Sequence, residues 1–157
     1  MFWFMFLFLL PSFLEAGIIS GAVVKTDRGD VLVQDLVVGD TVVASSNRSI
    51  QFNASITRIT KTMVDSAICL DSGLGEFLVS DEQSIYDSET VKWVSACFLN
   101  EGSKLMDYRV EEREICELCN TMGPFDAYEI EFEQDCYFYV GPDHVMVEGM
   151  AYEKENK

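Results

Sequence analysis

From Ala22 onward, apolar residues come in short runs separated by turn residues, and no long stretch keeps a helical period. Ala22-Val23-Val24-Lys25-Thr26, then Asp27-Arg28-Gly29-Asp30, then Val31-Leu32-Val33 predict a hairpin with a glycine in its loop. Val37-Val38-Gly39-Asp40-Thr41-Val42-Val43 places a Gly-Asp turn ahead of another strand. Further strands are expected over Ile56 to Val64, Ala67 to Leu70, Phe77 to Ser80 and Val91 to Ala96, with a turn over Asp71-Ser72-Gly73-Leu74-Gly75. Tyr128-Glu129-Ile130-Glu131-Phe132-Glu133 alternates apolar with acidic, the period of a strand with one buried and one wet face. Cys136 to Val140 and Val145 to Val147 flank the turn Gly141-Pro142-Asp143-His144. Helix is confined to one turn within Ser95 to Asn100 and to Arg109 to Leu118, which reads either as a short amphipathic helix or as a charged surface loop. The expected class is all-β, many short strands with at most one or two short helices, in one domain over residues 17–149 followed by a polar tail, 150–157.

The first residues break this pattern. Met1 to Phe13 is almost wholly apolar, but Pro11 interrupts it and Glu15 ends it, short of the roughly 20 residues a bilayer-spanning helix needs. Residues 1–16 are expected to be a signal peptide, cut after Ala16 to leave Gly17 first. No Lys or Arg precedes the apolar run, so an uncleaved signal anchor is the other reading, and it is the one route by which this chain would meet a membrane. Export places the domain outside the cell or in the lumen of the secretory pathway. There the five cysteines, Cys69, Cys97, Cys116, Cys119 and Cys136, are expected to pair, with one left over or joined to another chain. Asn47-Arg48-Ser49 and Asn53-Ala54-Ser55 are acceptor sequons for N-glycosylation.

Charge narrows the partners. Twenty-seven acidic residues against eleven basic ones in 157 give a net charge of −16, without the clustered Lys and Arg that phosphate binding requires, so nucleic acid is not an expected partner. Cys116-Glu117-Leu118-Cys119, with Cys136 and the single histidine, His144, supplies three thiols and an imidazole and so a candidate zinc or redox set. Cys136 and His144 lack a usual ligand spacing, and the simpler reading is a disulfide within or from the CxxC beside a solvent-exposed turn histidine. No cofactor is expected.

Three blocks resemble the Hedgehog/intein (Hint) family of self-processing domains. Gly21 to Thr26, Gly29 and Asp35-Leu36-Val37-Val38-Gly39-Asp40-Thr41-Val42 are similar to the family's opening. Phe77 to Gln83, Trp93-Val94-Ser95-Ala96 and Leu99 to Leu105 follow its middle order, Thr-x-x-His then Trp-x-x-Ala-x-x-Leu-x-x-Gly-x-x-Leu. Tyr128 to Glu133, Cys136 to Gly141 and Val145-Met146-Val147 match its ending without a gap. The resemblance implies a flattened β horseshoe whose first and last strands meet centrally.

It also implies which positions would carry self-processing. The family starts Cys-x-x-x-Gly, so counting back from Gly21 puts Gly17 where the attacking side chain belongs, and glycine has no attacking atom. Gln83 stands for the family's middle His, and glutamine does not titrate near neutrality; Ser80 stands for the Thr. Glu148-Gly149 replace the terminal His-Asn, and glycine cannot cyclise. Cys136 occupies the place of an upstream His, and Asp135 matches an Asp of some inteins. The expected function is a non-catalytic module that binds a protein partner the sequence does not identify. The alternatives are residual self-cleavage near Gly149 using Cys136 or Asp135 with Gln83, and the cysteine-based metal or redox module.

Overall fold

The computed structural model describes residues 16–47 and 50–151. Residues 1–15 of the expected signal segment lie outside them, as do Arg48 and Ser49 of the first sequon and residues 152–157 of the expected tail. The described chain is all-β. Its strands are β1 (Ile18–Ile19), β2 (Val23–Thr26), β3 (Gly29–Leu32), β4 (Thr41–Asn47), β5 (Ile50–Asp71), β6 (Glu76–Val79), β7 (Ser84–Asp87), β8 (Lys92–Ser95), β9 (Lys104–Met106), β10 (Glu112–Glu114), β11 (Glu117–Phe132), β12 (Tyr137–Val140), β13 (Val145–Glu148) and β14 (Met150–Ala151). Two single-turn 3-10 helices, Val33–Asp35 and Ala96–Phe98, complete the described elements. All strand pairs are antiparallel except β11 with β14.

Two expectations are corrected. Arg109 to Leu118 is not a helix: Glu112–Glu114 pairs with β9, Glu112 opposite Met106 and Glu114 opposite Lys104. The cause is Asp107, a buried carboxylate whose Oδ1 accepts from the backbone N–H of Arg109 and Glu111 while its Oδ2 accepts from Arg113 Nε at 3.1 Å. Those bonds hold the backbone in a turn and compete with helix formation. The strands are also not uniformly short. The segments expected over Ile56 to Val64 and Ala67 to Leu70 fuse into the 22-residue β5, which pairs with the 16-residue β11 from Asp71 opposite Glu117 to Ile56 opposite Phe132. The register shifts twice, between Glu131 and Phe132 and at Gly123-Pro124, where a proline without an N–H is tolerated at a bulge.

One layout occurs twice. In the first copy Ala22 N–H donates to Ile19 O, the hairpin β2–β3 follows, Val33 N–H returns to Ala22 O, and Leu36 N–H closes the helical turn on Val33 O. In the second, Gln83 N–H donates to Ser80 O, the hairpin β7–β8 follows, Ala96 N–H returns to Gln83 O, and Leu99 N–H closes on Ala96 O. Each ends in a glycine turn at positive φ, Gly39 (95°) or Gly102 (87°), whose N–H reaches the carbonyl of a buried isoleucine, Ile56 or Ile115. The two copies flank the β12–β13 hairpin, Val24 pairing with Val140 and Ile85 with Val147. Their inward residues, with Val42, Leu70, Val79, Leu105, Phe132 and Phe138, make one continuous core.

Candidate functional site

Strand β1 lies between β6 and β11, with Ile18 opposite both Val79 and Tyr128. This puts Gly17 at the centre of the molecule, buried, its carbonyl accepting from Ser80 N–H at 2.9 Å. A Cβ at Gly17 would stand 3.1 Å from Ala127 Cβ and 3.2 Å from the backbone N and O of Tyr128. The space beside Gly17 is thus closed by β11, and any side chain there requires that strand to give.

Gln83 sits at the head of β7, buried, and its amide Nε2 donates to Ser84 O and to Glu148 O, each at 3.1 Å. The side chain ties the start of β7 to the end of β13 and spends its donor there. Ser80 is 2% exposed and its Oγ has no hydrogen-bond partner. A buried hydroxyl left without a partner costs about 1–3 kcal/mol. Packing alone gives no reason for a hydroxyl at that position.

At the other end of the site, Glu148 is exposed while Gly149 is buried and donates its N–H to Cys136 O at 2.9 Å. A Cβ at Gly149 would fall 2.7 Å from Cε2 and 3.0 Å from Cδ2 of Phe132, and 3.0 Å from Cys136 O. Phe132 is fully buried, its ring tilted against Phe138 at 5.7 Å between centroids. The volume that a side chain at position 149 would need is occupied by an aromatic ring. Cys136 is buried, and burial, with Asp135 adding to it, pushes its thiol up to about 12. At neutral pH it is a protonated, enclosed thiol and a poor nucleophile. Asp135 itself is exposed.

The structure therefore brings the positions singled out in the sequence into one neighbourhood. Hydrogen bonds link Gly17 to Ser80, Ser80 to Gln83, Gln83 to Glu148 and Gly149 to Cys136. Phe132 is the residue the sequence reading missed; the available signal was the apolar-acidic alternation of β11, which puts Phe132 on the inward face but says nothing of what it fills.

The candidate metal set is not brought together. Cys136 lies in the core, whereas Cys116 immediately precedes β11 and Cys119 lies within it, Cys116 Sγ donating to Asp71 O at 3.1 Å. His144 sits in the β12–β13 turn, its Nε2 2.7 Å from Asp30 Oδ1 and its ring edge-on to Tyr108. Among the described residues no three His, Cys, Asp or Glu side chains are arranged to hold a metal ion. All five cysteines are free thiols, where the sequence led us to expect pairing. A bridge within the CxxC is opposed by the extended backbone, since residues three apart in a strand lie about 10 Å apart and point to opposite faces. Asn53 is exposed on β5 opposite Val43.

No family model matches the sequence, and no curated protein matches it. Solved structures do share the architecture. The bacterial intein-like domain from Clostridium thermocellum superimposes with a TM-score of 0.80 at 20% identity, covering 86% of this chain and 99% of that one. The gp41-1 intein gives 0.68 at 18% identity over 85% and 98%, and a DnaB intein from Synechocystis sp. PCC 6803 gives 0.70 at 15% identity over 85% and 98%. The fold of the described chain is the intein-type Hint fold.

Proposed function

We propose that this chain is an intein-like domain that no longer rearranges its own backbone, and that it serves, after export, as a scaffold for binding another protein. The observation that carries the reading is Phe132: its ring fills the space in which a cyclising side chain at position 149 would have to move. Three further features support it. Self-processing begins with attack of a side-chain heteroatom on the preceding carbonyl, and Gly17 has none. The general acid that would protonate the leaving amine is replaced by Gln83, whose amide donor is already spent on Glu148 O and Ser84 O. Cys136, the one thiol of the site, is held protonated. The hydrogen bonds of the site serve cohesion, joining the first, middle and last segments of the fold. The apolar leader supports export, and the acidic surface suits a solvated domain rather than one that binds nucleic acid.

The test is the intact mass of the full chain recovered from its own cell type and held for days at neutral pH with and without added thiol. The expected result is one unchanged species beginning at Gly17, with or without glycan on Asn47 and Asn53. A break near Gly149, or a thiol-sensitive ester or thioester at Gly17, would return the domain to the self-processing class.

A further inference from the structure

Away from this site, two thiols face each other across the long ribbon. Cys69 on β5 is directly opposite Cys119 on β11, between the pairs Leu70–Leu118 and Ile68–Asn120. Leu70 is fully buried and Leu118 packs on the core, so strand alternation turns both cysteines to the other face. They share a groove of about 290 Å³ with Asp71, Glu76, Glu101 and Glu117. Cys69 Sγ donates to Glu76 Oε2 at 3.1 Å, and Cys119 Sγ lies 3.8 Å from Thr121 Oγ1. Directly opposed residues of an antiparallel pair have Cα atoms about 4.5 or 5.5 Å apart, within the roughly 4.4–6.8 Å that a disulfide spans. None of the other three cysteines has a cysteine opposite it in the strand pairings: Cys97 is in the second 3-10 helix, Cys116 precedes β11, and Cys136 is in the core.

We propose that Cys69 and Cys119 form a reversible cross-strand disulfide that staples β5 to β11 when the domain meets a small-molecule disulfide. The Cys119 thiolate attacks one sulfur of that oxidant, forming a mixed disulfide and expelling the first small thiolate. Cys69 then loses its proton to solvent and attacks the Cys119 sulfur, expelling the second. Two protein thiols are oxidised and one small disulfide is reduced to two thiols. The second step is the slow one, because burial, and then the Glu76 carboxylate, hold the Cys69 thiol up at about 12. Its rate therefore rises about tenfold for each pH unit below that value, since the thiolate alone is the nucleophile. The proposal stands whether or not the domain processes itself.

The full chain, reduced and then exposed to oxidised glutathione at neutral pH and one unit above, would be quenched in acid, its free thiols blocked, and its peptides mapped by mass. The expected result is a linked pair carrying Cys69 and Cys119, lighter by two hydrogens, formed faster at the higher pH and several-fold faster in Glu76→Gln. Cys116→Ser is expected to leave that rate unchanged, and Cys69→Ser to stop the reaction at a glutathione adduct on Cys119. A link through Cys116 or Cys97, a lasting adduct on Cys119 with Cys69 still free, or an unaltered rate in Glu76→Gln would overturn the proposal.

Discussion

The two copies of the hairpin, turn and glycine layout keep the same backbone hydrogen bonds but differ where they approach the centre. Ile19 and Ala22 in the first copy correspond to Ser80 and Gln83 in the second. The first copy shows what the layout needs at those points, which is an apolar residue and a small one. The second holds a hydroxyl with no partner and an amide that reaches across to β13. Nothing in the local backbone demands either: Gln83 ties the second copy to β13, whereas Ile19 and Ala22 serve packing alone. The same contrast separates the two ends of the site. Position 17 is crowded by backbone that can shift by tenths of an ångström, and position 149 is blocked by a ring wedged in the core.

That comparison can be broken most forcefully at the leucines that close the two helical turns. Leu36→Ala and Leu99→Ala each leave a cavity in the same core and are expected to cost about 2–5 kcal/mol, by closely similar amounts, in urea unfolding. Costs that diverge widely would show that the copies are not mechanically equivalent. Next in size, Gly149→Asn is expected to lose about 1–3 kcal/mol through overpacking against Phe132, and Gly17→Cys to lose less. Adding Phe132→Leu to Gly149→Asn should return part of the loss, measured as the shift in urea midpoint; a strictly additive pair would mean that the ring is not the obstacle. Gln83→Ala makes the second copy resemble the first and strips a donor from Glu148 O, for about 1–2 kcal/mol. The smallest change is Ser80→Ala, expected to leave thermal stability unchanged or to raise it by up to about 1 kcal/mol; a clear loss would reveal a bond to its Oγ.

Much of the architecture was legible because alternation and turn chemistry agree. The hairpin at Gly29, the turn at Gly39-Asp40, and the β12–β13 pair around Gly141 all carry strong local signals and fold as those signals say. The continuity of β5 was hidden because Asp65-Ser66 reads as punctuation, yet the strand runs through both, Asp65 at the bulge and Ser66 opposite Met122, its hydroxyl donating to Asp81 Oδ2 at 2.9 Å. The pairing of β9 with β10 was hidden for a different reason. It depends on Asp107, whose burial is a property of the assembled sheet and leaves no periodic trace. At the site, the order of residues marked the positions, but their condition was invisible. Only assembly shows that Phe132 fills the space at Gly149, or that the Ser80 hydroxyl is stranded.

Holding β1 between β6 and β11 has a consequence for the timing of folding. The partners of Ile18 are Val79 and Tyr128, so the first of the described strands finds its second neighbour only once the chain has been made as far as Tyr128. Closing so long a loop must precede any gain from that ladder, which makes it a late step in assembly. The first of these strands is secured among the last, and until then the two edges that will grip it are open to any extended peptide that passes.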